Sequence, residues 1–341
     1  MKTVLVTGGL GYIGSHTVVE LIESGFEVVI VDNLSNSRLG ILDQITQISE
    51  KKVKFYNLDI LNKNDFDVVF KENNFDSVIH FAAYKSVVES MQKVVEYYEN
   101  NIGSLTSVLS KMEEYKVKNL IFSSSCTVYG QPAVLPVNED SPIQEADSVY
   151  GTTKIMGEKI IRDFINNKTS QKAVLLRYFN PAGAHESGLI GEIPIGIPNY
   201  LFPYITQTVF GQREELKIFG SNYNTPDGTA IRDYIHVVDL AKAHVLALNR
   251  IEKSDSKIET INIGTGKGYS VLEVVKMFEK VLGKSVNYKL VDRRGGDIEQ
   301  IYAVCDRANE LLKWKSEHNL EDMVKSALRW EGNLESGKIS L

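Results

Sequence analysis

The chain has 341 residues, 43% of them apolar and 24% charged, enough to bury a large core and to build two lobes. A net charge of −6 with no run of about five like charges excludes a nucleic-acid footprint and a patch for acidic membranes. Two cysteines cannot make a disulfide framework, the six histidines lack ligand spacing, and no apolar run reaches the ~20 residues of a membrane helix, so no metal or membrane is expected and a cytoplasmic location is.

Residues 3–7, TVLVT, form a nearly unbroken apolar run ended by glycine, the pattern of a parallel strand covered on both faces. Next, Gly8-Gly9-Leu10-Gly11-Tyr12-Ile13-Gly14 satisfies Gly-x-Gly-x-x-Gly from Gly9 and Gly-x-x-Gly-x-x-Gly from Gly8. It leads into a stretch whose Val18, Val19, Leu21 and Ile22 recur at helical spacing. Glycine lets the backbone turn tightly and approach a pyrophosphate, whose charge then sits at the amino end of that helix. A second strand over 27–31 ends at Asp32, placed to accept hydrogen bonds from the adenosine ribose and to repel a 2′-phosphate, so NAD is expected over NADP. A glycine turn that merely packs a helix on a strand is the bland alternative; the order strand, helix, strand, carboxylate argues against it. A P-loop is excluded because 264–270, GTGKGYS, has the wrong spacing, and Ser270 with Glu273 reads as a capping box.

Further strands are predicted at 53–57, 77–82, 119–123 and 173–178, with helices near 62–72, 94–115 and 148–166, giving an α/β fold with a doubly wound parallel sheet. Ligands lie at the carboxyl ends of such strands, which takes Asp59 to the adenine end and Phe81, Ala82 and Lys85 along the cofactor. The fifth strand ends in Ser123, Ser124, Ser125 and Cys126, so several hydroxyls emerge at the same edge, although serine clusters more often make loops. Tyr150 and Lys154 stand four residues apart and share a helix face. An ammonium ~5 Å from a phenol at an effective dielectric of ~20 favours the phenolate by roughly 3 kcal/mol, taking a tyrosine from ~10 toward ~8; an oxidised nicotinamide nearby would push further and desolvation opposes both, leaving a modest margin whose sign suits an acid/base. The alternative is an incidental pair on a surface helix.

The stretches VTGGLGYIGSHT, VDNLSNS, VIHFAA, FSSSCTVYG, VYGTTK, LRYFNPAGAH, GIPNYLFPYI, IRDYIHVVDLA, NIGTG and RRGGD run nearly end to end. In them the chain resembles the extended short-chain dehydrogenase/reductases and, within these, the UDP-galactose 4-epimerases. That resemblance implies an isomerase with NAD, a Rossmann-type sheet, a UDP-sugar substrate and a homodimer. It makes Tyr150 the acid/base, has Lys154 orient the nicotinamide ribose and lower the tyrosine pKa, and has Ser125 bridge the sugar 4-hydroxyl to Tyr150. It gives Asp32, Asn33 and Asn36 to the adenosine ribose, Asp59 and Ile60 to the adenine, and Gly8, Gly11, Tyr12, Ile13, Gly14, Phe81, Ala82, Lys85, Asn100, Ser123 and Tyr178 to the rest of the cofactor. Asn180, Leu201, Phe219, Arg232, Arg294 and Asp297 are implied to bind the UDP portion, with the two arginines on the diphosphate and Lys85, Tyr200 and Ile301 beside the sugar.

The second lobe is thinner in signal. Residues 181–203, rich in proline and glycine, read as an irregular cover over a ligand or as a plain connection. Then follow a helix over 197–210, a short strand near 217–219, and helices at 237–250, 270–282, 306–312 and 320–331. Residues 1–180, with 233–263 returning to them, are expected to form the NAD-binding domain; 181–232 and 264–341 form the UDP-sugar-binding one. Arg232 and Asp233 alternatively read as a surface ion pair. Tyr200 replaces a common family asparagine, and Ile301 occupies a wall position that is tyrosine in hexose-only members, so UDP-N-acetylhexosamines remain a second substrate class. A nucleotide-sugar 4,6-dehydratase needs an Asp-Glu pair where Cys126 and Thr127 stand. A non-catalytic NAD sensor typically loses the tyrosine or lysine. Tyr98, Ile102, Leu105, Leu109 and Met112 form a stripe on helix 94–115, flanked by Val94, Val95 and Tyr97, and serve either the chain's own core or a homodimer shared with the Tyr150 helix.

Overall fold

The structure, a computed structural model, describes residues 1–167 and 170–341. Through the first half, strands and helices alternate: β1 (Thr3–Thr7), α1 (Tyr12–Glu23), β2 (Glu27–Asp32), α2 (Gly40–Ser49), β3 (Lys54–Asn57), α3 (Lys63–Glu72), β4 (Ser77–His80), α4 (Val87–Ser90), α5 (Val94–Glu114), β5 (Asn119–Ser125), α6 (Val149–Asn166) and β6 (Lys172–Tyr178). The second half is mixed: β7 (Asn180–Ala182), α7 (Leu201–Val209), β8 (Leu216–Phe219), β9 (Ile231–His236), α8 (Val237–Lys253), β10 (Ile258–Ile263), β11 (Gly268–Ser270), α9 (Val271–Leu282), β12 (Tyr288–Val291), β13 (Gln300–Ile301), α10 (Asp306–Leu312) and α11 (Leu320–Glu335).

Seven strands form one parallel sheet in the order β10-β6-β5-β4-β1-β2-β3. Alternate side chains go to opposite faces, as the pleat demands. Val4, Val6, Ile30, Ile79 and Ile121 pack with Val18 and Leu21 of α1 and Leu240 and Ala243 of α8, whereas Leu5, Val29, Val31, Val78 and Leu120 meet Phe66 of α3, Leu105 and Val108 of α5 and Ile161 of α6. Burial on both faces is why these strands read as continuous apolar runs. The winding reverses between β1 and β4, and a crevice opens beyond their carboxyl ends. A second core gathers Phe202, Ile205, Ile218, Tyr234, Val275, Phe278, Met323 and Val324 from α7, β8, β9, α9 and α11. Leu312 and Trp314 join the first core instead, and the Trp314 indole donates to the Asp239 carbonyl.

Three expectations shift. The strand over 77–82 stops at His80, because Phe81 and Ala82 run past the ladder to lie against the glycine turn. The helix over 197–210 starts only at Leu201, since Tyr200 is extended (φ −113°, ψ 150°). Residues 181–203 are irregular only in part, for Asn180–Ala182 pairs in parallel with β9. The capping box at Ser270 and Glu273 is present. On α5 the fully buried side is Tyr97, Leu105, Val108 and Met112, while Val94 and Val95 face outward.

Candidate active site

The glycine turn is built for close approach. At Gly8, in the left-handed region at φ 70°, a Cβ would stand 2.8 Å from the Ala82 amide nitrogen; at Gly14 one would stand 2.2 Å from the Gly8 carbonyl oxygen. α1 begins with no side-chain cap and no acidic residue in its first turn, so its amino end favours an anion. Asp32 is buried and braces this turn: Oδ2 accepts from the Leu10 amide at 3.0 Å, and Oδ1 from the Leu34 amide at 2.9 Å and the Ser37 hydroxyl at 2.8 Å. This scaffolding role was invisible in the spacing alone. Asn33 donates to Asp59 at 3.1 Å, tying the tips of β2 and β3 together. These features fit a dinucleotide.

One cleft of about 1400 Å³ runs across the carboxyl edge of the sheet. Single-ligand sites span roughly 300–1,000 Å³, so the volume suits two ligands side by side. Asp32, Asn33, Asn36, Asp59 and Ile60 line one end; Gly8, Gly11, Tyr12, Ile13, Gly14, Phe81, Ala82, Lys85 and Asn100 follow; Ser123, Ser125, Tyr150, Lys154 and Tyr178 lie further along; Asn180, Tyr200, Leu201, Phe219, Arg232, Arg294, Asp297 and Ile301 complete the wall. Every residue assigned to cofactor, sugar or UDP by the resemblance therefore opens onto the same cleft.

Tyr150 is the second residue of α6, whose amino end is capped by Ser148 accepting from the Gly151 amide at 3.1 Å. Lys154, one turn on, is 5% exposed; its ammonium donates to the Ser123 carbonyl at 2.7 Å and stands 5.7 Å from the Tyr150 ring centre. Burial pushes Lys154 down to about 8, against the pull of Glu158. The expected lowering of Tyr150 is not found. Burial raises its pKa well above 10, Tyr200 and Cys126 raise it further, and the opposing influences are the Ser125 hydrogen bond and the Lys85 charge. The lysine turns to a main-chain carbonyl instead of the phenol, and desolvation outweighs a cation at that range.

On the opposite wall, Arg232 is held by main-chain oxygens: Nη2 donates to the Ile298 carbonyl at 2.7 Å and Nη1 to the Ile231 carbonyl at 2.9 Å. Arg294 donates to Asp297 at 3.1 Å, with its guanidinium 4.4 Å over the Phe219 ring. Asp233 is no surface partner of Arg232. It is buried and accepts from Thr265, Gly266 and Ala303. Ile301 sits beside Arg232 in the β9–β13 register and is 1% exposed.

Glu192 is a site residue that sequence reasoning missed. Its carboxylate takes the Lys85 ammonium at 2.8 Å, and Lys85 also lies 4.7 Å from the Tyr200 ring centre, while the Tyr200 hydroxyl donates to the Lys85 carbonyl at 2.9 Å. Its signal was available: it is the one charged residue between Glu186 and Arg213. Asn101 was missed too. Its amide accepts from the Tyr84 N–H at 2.8 Å and donates to the Tyr84 carbonyl at 3.0 Å.

Residues 4–264 match the model of the NAD dependent epimerase/dehydratase family. Among relatives, the UDP-glucose 4-epimerases of Haemophilus influenzae and Bacillus subtilis are each 49% identical over 334 residues, spanning 98% of both chains. The UDP-glucose 4-epimerase of Bifidobacterium longum, solved with NAD+ and UDP, superposes with a TM-score of 0.96 at 47% identity, covering 98% of this chain and all of that one. That of Stenotrophomonas maltophila, with bound NAD and formylated UDP-arabinopyranose, gives 0.95 at 42% identity over 99% of this chain and all of that one. Likeness that extends from end to end, in sequence and in fold alike, makes the chain a member of the NAD dependent epimerase/dehydratase family.

Proposed function

We propose that this protein is a UDP-glucose 4-epimerase, an isomerase that uses NAD to interconvert UDP-glucose and UDP-galactose at sugar carbon 4. The observation that carries this reading is the convergence of Tyr150, Ser125 and Lys154 in a cleft whose other wall offers two fixed guanidinium groups. The glycine turn, Asp32, Asp59 and Asn100 would hold the dinucleotide. Bound NAD supplies a hydride acceptor that becomes the donor on the return stroke, together with a positive charge.

Tyr150 takes the proton from the sugar 4-hydroxyl through Ser125 and gives it back after the 4-ketose has turned over. Its raised pKa keeps the phenol protonated in the protein alone, so the base form depends on charge brought into the cleft with the cofactor. Lys154 fixes the geometry of this end of the cleft. Arg232 and Arg294 grip the diphosphate, leaving the sugar free to present either face. Purified protein given UDP-glucose should produce UDP-galactose, read by proton NMR; conversion of neither UDP-glucose nor its N-acetyl analogue would overturn this function.

Activity on UDP-N-acetylhexosamines is a second reading, favoured by the aliphatic Ile301 wall and opposed by the bulk of Tyr200; the same assay with UDP-N-acetylglucosamine decides it. A 4,6-dehydratase is disfavoured, because Cys126 is a buried thiol pushed up to about 12 and Thr127 has no carboxylate. A pure NAD sensor has no use for the Tyr150–Lys154 pair. Val94 and Val95 of α5 and Met156 of α6 are exposed, and the two helices pack on each other, which supports a homodimer through them. Light scattering should then give about twice 38.2 kDa. No helix among the described residues is long and apolar enough to cross a membrane, in keeping with a cytoplasmic enzyme. The two cores support a division into a cofactor lobe and a sugar-nucleotide lobe.

A further inference from the structure

Three consecutive residues of β5 face three consecutive turns of α6. The Ser123 carbonyl takes the Lys154 ammonium at 2.7 Å, the Ser124 hydroxyl donates to Glu158 at 2.6 Å, and Ser125 lies beside Tyr150, drawing its phenol down against burial. Tyr150, Lys154 and Glu158 follow one another at intervals of four, so they lie along one stripe of the helix. The first two rungs belong to the reacting end of the cleft; the third does not open onto it. Glu158 is 2% exposed, and a carboxylate so deep is costly unless it is paired and hydrogen-bonded.

We infer that Glu158 is a positioning residue for the epimerisation: it clamps the end of β5 to α6, so that the Ser123 carbonyl and Ser125 hydroxyl are presented to Lys154 and Tyr150. Because it acts through Tyr150 and Lys154, this role stands only if those two carry the reaction.

The surrounding groups agree. From β6, Arg177 grips Glu158 with both arms, at 2.8 and 2.7 Å, and Arg162 approaches from α6 at 3.6 Å. Arg177 is itself fixed by the Tyr129 hydroxyl at 3.0 Å and the Glu139 carbonyl at 3.4 Å. Burial pushes the Glu158 carboxyl up, yet Arg177, Ser124 and Arg162 hold it below its ordinary value, so it is charged at neutral pH. Lys154 faces the Phe122 ring from β5 and His80 from β4, and burial keeps His80 neutral, at about 3. Tyr178 of β6 completes the surroundings, its own pKa raised by burial and further by Tyr150. Of all these, Glu158 is the one negative charge that opposes the burial of Lys154. Without it, Lys154 loses its proton at lower pH.

The test is the pH profile of kcat in Glu158→Gln, which keeps the shape and the Ser124 bond but removes the charge. The high-pH limb should move down by about one unit, with the rate near pH 8 falling roughly fivefold and KM for UDP-glucose changing less than about twofold. Ser124→Ala, which removes the bond and no charge, should lower kcat by about two- to fivefold and leave the limb in place. A wild-type limb in folded Glu158→Gln overturns the inference. If that variant does not fold because Arg177 is stranded, Glu158→Gln with Arg177→Met removes both buried charges; losing the Arg177 charge offsets part of the shift, so its limb should move down by less than in the single variant while kcat at the pH optimum falls at least about twofold. A wild-type limb together with wild-type kcat there is equally fatal. Tyr150→Phe separates the two levels: full activity in that variant defeats the acid/base reading itself, whereas an inactive Tyr150→Phe beside an unshifted Glu158→Gln defeats only the role of Glu158.

Discussion

The two walls of the cleft are secured by different means. On the cofactor wall, short consecutive stretches brace themselves: Asp32 bonds Leu34 and Ser37, Asp59 bonds Leu61, and the glycine turn closes on itself through Gly11 and Gly8. On the wall proposed for the sugar nucleotide, the cation Arg232 is set from afar. Arg232 is aimed by the carbonyl of Ile298, 66 residues later in the chain, and Arg294 by Asp297 and the ring of Phe219. A wall made of local motifs carries a rigid ligand; one assembled from distant pieces can grip a single diphosphate and leave space around it. That division of labour is what a reaction with a turning sugar requires.

Tyr150→Phe should have the largest effect, lowering kcat by about 10²- to 10⁴-fold while cofactor content, measured by absorbance after denaturation, stays at wild-type level. Loss of cofactor instead would place Tyr150 on the binding wall and erase the distinction. Arg232→Ala should raise KM for UDP-glucose by about tenfold to a hundredfold with kcat within about threefold of wild type, as expected for removing a charge-assisted contact made equally in ground and transition states. A KM within a few-fold of wild type would show that the distant wall does not carry the diphosphate.

Acid should weaken the framework beneath both walls. Burial holds His16 near 3, His80 near 3, His236 near 2 and His244 near 4, all below their ordinary value of about 6.5. The unfolded chain binds protons there that the folded one refuses, so their contribution to stability is complete above about pH 6.5 and shrinks as pH falls toward the folded values, by up to ~1.4 kcal/mol per unit for each group. The thermal midpoint should therefore drop by several degrees between about pH 7.5 and pH 5; a midpoint that rises over this interval contradicts the neutral burial of these rings. Glu192→Gln should have the smallest effect. The Lys85 partner is 38% exposed along its side chain, so losing the pair is worth about 0.2–1 kcal/mol and changes the rate of cofactor exchange by less than about fivefold.

The same contrast explains what could be read in advance. The sheet, the glycine turn, Asp32 and the Tyr150–Lys154 pair were legible because each is a local pattern: apolar runs for strands covered on both faces, and residues spaced by one helical turn. β10 was not legible. It lies at the edge of the sheet and alternates apolar residues with Glu259 and Asn262, which serve Arg250 and Tyr129, so its run is broken. α2 follows a tight polar turn without a side-chain cap, leaving its start unmarked. The balance of forces on Tyr150 was misjudged for a related reason: desolvation was expected to oppose the lysine, but spacing reports neither how deep the burial is nor which carbonyl from another element claims the cation. Asp233 and Glu192 show the same gap, one having exchanged a neighbouring arginine for backbone amides, the other finding its lysine 107 residues away.

Lys85 touches both halves of this machine at once, bound to Glu192, lying over the rings of Tyr12 and Tyr200, and lending its carbonyl to the Tyr200 hydroxyl. Substitutions at 12, 85, 192 and 200 should therefore be epistatic, with effects that fail to sum. Directed evolution that seeks a new dinucleotide or a new sugar will find those two traits inherited together at these four positions, and is best served by varying them as a single unit.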